Sequence, residues 1–189
     1  MKDILRRNLV LSNLIAYEII QAEKKKSRPT IIAHFVKFGT FLKKLQNYHA
    51  LVGCVKGLNS APVKALKSTL AELPTQVKEE WEVLTKEEHT LKKNIKNASP
   101  PFIPPFDLFL SEVVQIEDTV PNEINGLTNL EKVFTIYQVI EPILSSINHE
   151  NRFKFSPISQ IQDLFDTVEY RMLTEEYLLE EANKSEQQK

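Results

Sequence analysis

Apolar residues along this chain recur at steps of three and four rather than two, the period of helices that each bury one face. Ile31, Phe35, Phe38, Leu42 and Leu45 form one such stripe, in a helix that Pro29 can open because proline is tolerated in a first turn. That stripe is expected to be core. Val63, Leu66 and Leu70 form another, with Asn59 and Ser60 placed to cap it, and Thr85 followed by Glu88 has the pattern of a reciprocal cap starting a further helix. Four prolines within residues 99–105, around Phe102 and Ile103, predict a stiff extended connector. Asp107 can then cap a helix that runs through Val113 and Val114 and stops before Pro121. Asn125-Gly126 supplies a turn, and Thr128 or Asn129 can cap a return helix carrying Val133, Phe134, Ile136, Tyr137 and Ile140. The pair reads as a helical hairpin over residues 107–147. Pro142 is expected to bend or shorten its base, since an interior proline costs a helix about 3 kcal/mol. Ile158, Ile161, Leu164, Phe165 and Val168 predict a helix after Pro157, and Thr174 can cap a last one through Tyr177 and Leu178, ahead of a polar, frayed stretch over 183–189. The fold class is all-α, an irregular helical bundle with a protruding helical hairpin.

Composition narrows the picture without changing it. With 189 residues, of which 42% are hydrophobic and 26% charged, the chain suits one core rather than two. A formal net charge of -1 implies no overall attraction to nucleic acid or anionic lipid. The one basic block, Lys24-Lys25-Lys26, reads as a solvated helix end. Lys2, Arg6 and Arg7 precede the apolar stretch 9–20, but Ser12, Asn13 and Glu18 interrupt it. No segment reaches the ~18 apolar residues of a membrane span, so an amphipathic helix is the better reading there.

Cys54 stands alone, so neither an intrachain disulfide nor a thiolate zinc site can form, and a reducing cytoplasmic setting fits. His34, His49, His89 and His149 are dispersed, and there is no HExxH pair, phosphate-cradling glycine loop or nucleophile elbow. Glu117 and Asp118 are neighbours on a helix and do not face each other as an acid and base pair would. Neither a metal, nor a cofactor, nor covalent enzyme chemistry is expected.

Residues 45–74, LQNYHALVGCVKGLNSAPVKALKSTLAELP, resemble the central signature of the Ras-type guanine-nucleotide exchange factor (RasGEF) catalytic domain. There one helix ends in an "LNNFN"-like corner, the next in "GLNS", and a third at an "LP" stop. Upstream, NLVLSNLIAYEII is similar to the family's "VSNWVATEIL"; downstream, PPFIPPFDLFLSEVVQIEDTVP is similar to "PCIPFLGLYLTDLxxIEEGNP". The resemblance implies a RasGEF-like domain over 1–180 with a polar tail over 181–189. The family's first helices would lie before Met1, and no room is left for its separate N-terminal exchanger-motif domain, so a fragment or a reduced domain is expected.

The resemblance implies a partner, a Ras-family small GTPase, and a role, promoting GDP release without covalent chemistry by inserting the hairpin at the switch regions. It places Val114 where an apolar side chain intrudes near the magnesium position and Asp118 where an acidic one competes for the phosphate-binding loop's lysine. Asn59 matches the asparagine of "LNS" that grips the second switch. Leu5 and Arg6 resemble an "IR" pair contacting that switch, Val52 an apolar anchor for the same patch, and His89 a position often polar. The residues themselves leave plainer alternatives open: Val114 as hairpin core, Asp118 as a solvated charge, Asn59 as a helix cap, Leu5 and Val52 as core, Arg6 and His89 as surface. Two departures favour a non-catalytic GTPase-binding or scaffold module as the alternative. Thr119-Val120-Pro121 replaces "GNP", and the return helix, EKVFTIYQV, keeps only Lys132 of the family's basic character. No direct membrane segment is visible, so recruitment to membranes would fall to other regions or partners.

Overall fold

A computed structural model describes residues 2–22, 24–95, 98, 101–147, 156–170 and 174–187. Helix α1 (Lys2–Ile20) leads through a 3-10 turn (Lys25–Ser27) into α2 (Arg28–Lys44), α3 (Tyr48–Leu58), the short α4 (Ala61–Ala65) and α5 (Lys67–Ala71), and the long α6 (Thr75–Ile95). The hairpin follows as α7 (Phe106–Thr119), the strands β1 (Glu123–Ile124) and β2 (Leu127–Thr128), and α8 (Leu130–Ile147); α9 (Ser159–Tyr170) and α10 (Glu175–Gln187) complete the described chain. The fold is all-α, as expected, apart from the two-residue antiparallel ribbon at the hairpin tip.

Helix α3 is the axis of the core. It is apolar nearly all round, and among its residues only Lys56 is exposed. Helices α1, α2 and α6 pack around it. Close approach of α1 depends on Gly57: a Cβ there would lie 2.7 Å from the Ser12 carbonyl oxygen and 3.0 Å from Ile15 Cβ. Ile15, Ile19, Ile32, Val36, Leu84 and Leu91 fill the surrounding layer, and α10 closes one side with Leu178 and Ala182 against α4 and α1.

Several local expectations are corrected. The buried stripe of α2 is Ile32, Val36, Gly39 and Leu42, one residue round from the expected one, which leaves Phe38 exposed and Ile31 and Phe35 half-buried. Periodicity defines a stripe's width better than its centre. Thr85 starts no helix: α6 is continuous, and the Thr85 hydroxyl donates to the Trp81 carbonyl at 3.0 Å. Asp107 does not cap α7; its carboxylate pairs with Lys56 at 2.8 Å. Pro142 is buried and α8 passes it to Ile147. Likewise α10 continues to Gln187, through part of the stretch expected to fray.

Two polar devices set the chain's course. Arg28 is buried, and its Nη2 donates to the Ile20 carbonyl at 2.8 Å, placing a cation at the negative end of α1. At the corner between α2 and α3, Gln46 adopts φ +55, a left-handed conformation uncommon for a side chain with Cβ. The Gln46 carbonyl then accepts from Ile103 N at 2.9 Å, while Tyr48 N donates to the Ile103 carbonyl at 2.9 Å. The proline-rich connector is thereby stitched to the start of α3 as a strand-like bridge.

Candidate functional site

The hairpin is rooted in the core and free beyond it. At the root, Phe106 meets the His49 ring edge-on at 5.5 Å, Phe102 and Phe109 are buried, and Lys56 reaches across to Asp107. Past Phe109 no residue of α7 is fully buried, and Val114 is 56% exposed. Ile124 and Leu127 of the ribbon and Leu130, Val133, Phe134 and Tyr137 of α8 are exposed too.

The tip is nevertheless tightly built. Asn125 and Gly126 both have positive φ, +55 and +75, the conformation of a two-residue turn whose twist matches its strands. Asn129 caps α8 by accepting from Lys132 N at 3.1 Å, and its Nδ2 donates to the Pro121 carbonyl at 3.0 Å. Lys132 is only 4% exposed. Its Nζ lies 2.7 Å from Glu117 Oε2, 2.6 Å from Asn122 Oδ1 and 3.2 Å from the Glu117 carbonyl. The one cation kept at the start of the return helix therefore faces inward. Asp118, next to the paired Glu117, is exposed and has no hydrogen-bond or ion-pair partner among the described residues. Val114 lies one turn before it on the same side of α7.

A second surface lies where α3 ends. Asn59 is its C-terminal cap residue, and Asn59 Nδ2 donates to Thr85 Oγ1 at 3.1 Å. Asn59, Trp81 and Thr85 line one groove of about 420 Å³ with Leu70 and Leu73. His89, one turn beyond Thr85 on α6, is exposed. Lys56, which ties down the hairpin root, is one turn before Asn59 on α3, so a single helical turn supports both surfaces. Thr85, Trp81 and the Lys56–Asp107 pair were missed in the sequence because their partners are 26 or more residues away or are backbone atoms.

The remaining candidates divide. Arg6 is exposed on α1, whereas the Leu5 side chain lies outside the described residues. Val52 is completely buried, as in the core alternative that its residue type left open. Cys54 is also buried, its thiol donating to the Phe35 carbonyl at 3.5 Å, and desolvation pushes its pKa up to about 12, so it is no nucleophile. Burial raises the Tyr48 pKa as well, with Glu87 adding to the rise and Lys43 opposing it. Among the described residues no His, Cys, Asp and Glu cluster could hold a metal, and no helix is long and apolar enough to cross a membrane.

An all-α bundle with a protruding helical hairpin is the fold class expected from the sequence. The RasGEF domain model matches residues 1–134, and the chain belongs to that family. Among curated relatives, Ras guanine nucleotide exchange factor V of Dictyostelium discoideum is 26% identical over 90% of this chain. Mouse Ras-specific guanine nucleotide-releasing factor 1 is 30% identical over 91%, and human Ras-specific guanine nucleotide-releasing factor RalGPS2 is 27% identical over 87%. The chain spans 9%, 14% and 29% of the lengths of these three proteins.

Proposed function

We propose that this domain promotes GDP release from a Ras-family small GTPase, with the α7–α8 hairpin inserted at the switch regions and the Asn59 corner holding the second switch. The observation that carries this reading is the hairpin: its root is fixed in the core while Val114 and Asp118, both exposed, stand together on one side of α7, and Asp118 has no hydrogen-bond or ion-pair partner among the described residues. An apolar group such as Val114 cannot ligate a cation, and the Asp118 carboxylate can replace phosphate as partner of a lysine. Hairpin and nucleotide then require incompatible GTPase conformations, so each weakens the other's binding by the same factor. A 10⁴-fold acceleration corresponds to about 5.5 kcal/mol of differential stabilisation, within reach of a few well-placed anchors. No bond is made or broken by the domain, so neither cofactor nor metal is required of it. Arg6 and His89, both exposed, are assigned to the rim of the interface. The setting is cytoplasmic, with membrane recruitment supplied by other regions or partners.

One observation favours a second reading, a non-catalytic GTPase-binding module. Lys132 is turned inward and the exposed face of α8 carries Val133, Phe134 and Tyr137, so the hairpin offers apolar surface where its family is basic. Release of a fluorescent GDP analogue from Ras, Rap and Ral type GTPases decides between the two. Exchange predicts acceleration on one of them that falls roughly ten- to hundredfold in Asp118→Ala, the loss expected for one charge-assisted contact. Binding to a nucleotide-free GTPase with no acceleration would leave the scaffold reading.

A further inference from the structure

We propose that Lys132 is a positioning residue that clamps the hairpin tip and, by engaging Glu117, leaves Asp118 as the carboxylate presented to a partner. Its functional consequence rests on the exchange reading; the clamp itself does not.

A lysine on a protruding hairpin ordinarily keeps its ammonium in water. Here the side chain is buried, and a buried ammonium persists only where acceptors replace its hydration. Three acceptors surround Nζ, matching its three N–H groups: Glu117 Oε2, the Glu117 carbonyl and Asn122 Oδ1. They belong to the last turn of α7 and to the segment after it, whereas Lys132 stands in the first turn of α8. One side chain thus joins both arms of the hairpin.

The carbonyl contact has a specific origin. In a continuing helix the Glu117 carbonyl would accept from the amide four residues on, but that residue is Pro121, which has no N–H. The Lys132 ammonium supplies the missing donor and sits at the negative end of the α7 dipole. Asn129 reinforces the closure by binding Lys132 N and the Pro121 carbonyl. Successive helix residues point about 100° apart, so drawing Glu117 toward α8 turns Asp118 away from it, onto the side occupied by Val114. Without the clamp both carboxylates are free, and the turn that sets the spacing of Val114 and Asp118 loses its lock.

The test uses the full 189-residue chain and the variants Lys132→Met and Lys132→Arg. Deuterium uptake over residues 115–132 is expected to speed up in Lys132→Met, with uptake in α1–α3 unchanged; unaltered uptake at the tip overturns the clamp. On a GTPase that responds to the parent, Lys132→Met should lower the maximal GDP-release rate roughly ten- to hundredfold with little change in KM. Lys132→Arg, whose guanidinium can reach the same acceptors, should restore most of that loss. Asp118→Ala should cost less in the Lys132→Met background than in the parent, because the two act through one geometry. Faster tip uptake with an unchanged release rate, or independent effects of the two substitutions, overturns the positioning role. If no GTPase responds to the parent, the exchange reading and the positioning role fall together, and the uptake comparison still decides the clamp.

Discussion

Helices α3 and α8 are about equally apolar, yet one is the most buried helix of the domain and the other is largely exposed. The difference lies in what surrounds them. Neighbours on several sides enclose α3, and Gly57 lets α1 approach it backbone to side chain. By contrast α8 packs chiefly on its hairpin partner α7, and only toward its C-terminal half do Val139 and Ile143 rest on the core. An apolar helix is therefore not a core helix by composition alone; burial needs neighbours, and a hairpin supplies one. What the free arm lacks in apolar packing it partly recovers at the tip, through caps and a buried lysine.

That contrast predicts that substitutions in α3 act on stability and those in the hairpin act on function. Leu51→Ala, which empties a completely buried position, should cost about 2–5 kcal/mol of unfolding free energy in a denaturant titration. Val114→Ala on the hairpin should stay within about 0.5 kcal/mol of the parent. If the two costs were similar, the hairpin would be part of the core rather than an arm.

The next effect belongs to the core alone. Burial raises the Cys54 pKa from 9.0 to about 12, so an unfolded chain loses this proton before the folded one does. The contribution is constant below pH 9.0 and is lost as pH rises toward about 12. By the top of that window the loss approaches about 4 kcal/mol, because each tenfold difference in proton affinity between the two states is worth about 1.36 kcal/mol. Tyr48 is displaced in the same direction. Chemical unfolding at several alkaline pH values should show the decline, and Cys54→Ala should flatten it; an equal slope in the variant would show that other groups cause it.

Smaller effects test the joints between the two regions. Asn59→Ala removes the bond to Thr85 and should cost about 1 kcal/mol of stability, while lowering affinity for the GTPase by more than that bond explains if Asn59 also grips a switch. Lys56→Ala breaks the half-exposed pair with Asp107 and should cost less than about 1 kcal/mol. That loss should shrink further at high salt, measured as a difference in Tm. A large, salt-independent loss would mean that the root depends on the pair more than on Phe102, Phe106 and Phe109.

Legibility followed range. The Asn125-Gly126 turn, the cap by Asn129, the opening of α2 at Pro29 and the cap by Thr174, which accepts from Tyr177 N at 3.2 Å, were readable because each joins residues a few positions apart. Thr85 misleads because its spacing to Glu88 satisfies a cap pattern equally well inside a continuous helix, where the hydroxyl donates to the Trp81 carbonyl and accepts from Asn59 Nδ2. Val52 and Val114 are the same residue type on helices of similar character, and only their neighbours make one core and the other surface. For the same reason the sequence shows Lys132 only as the basic residue that the return helix keeps, whereas in the fold it is buried and paired with Glu117.

The sequence by itself determined the helical class, the family and the places where the chain turns, since these follow from side-chain period, local hydrogen bonding and the backbone limits of proline and glycine. Only the tertiary structure decided which apolar faces are covered, which of two adjacent carboxylates is already engaged, and that one turn of α3 supports both the hairpin root and the Asn59 corner. Those outcomes depend on burial and charge pairing between residues distant in the chain, and their energies exist only once the helices have packed.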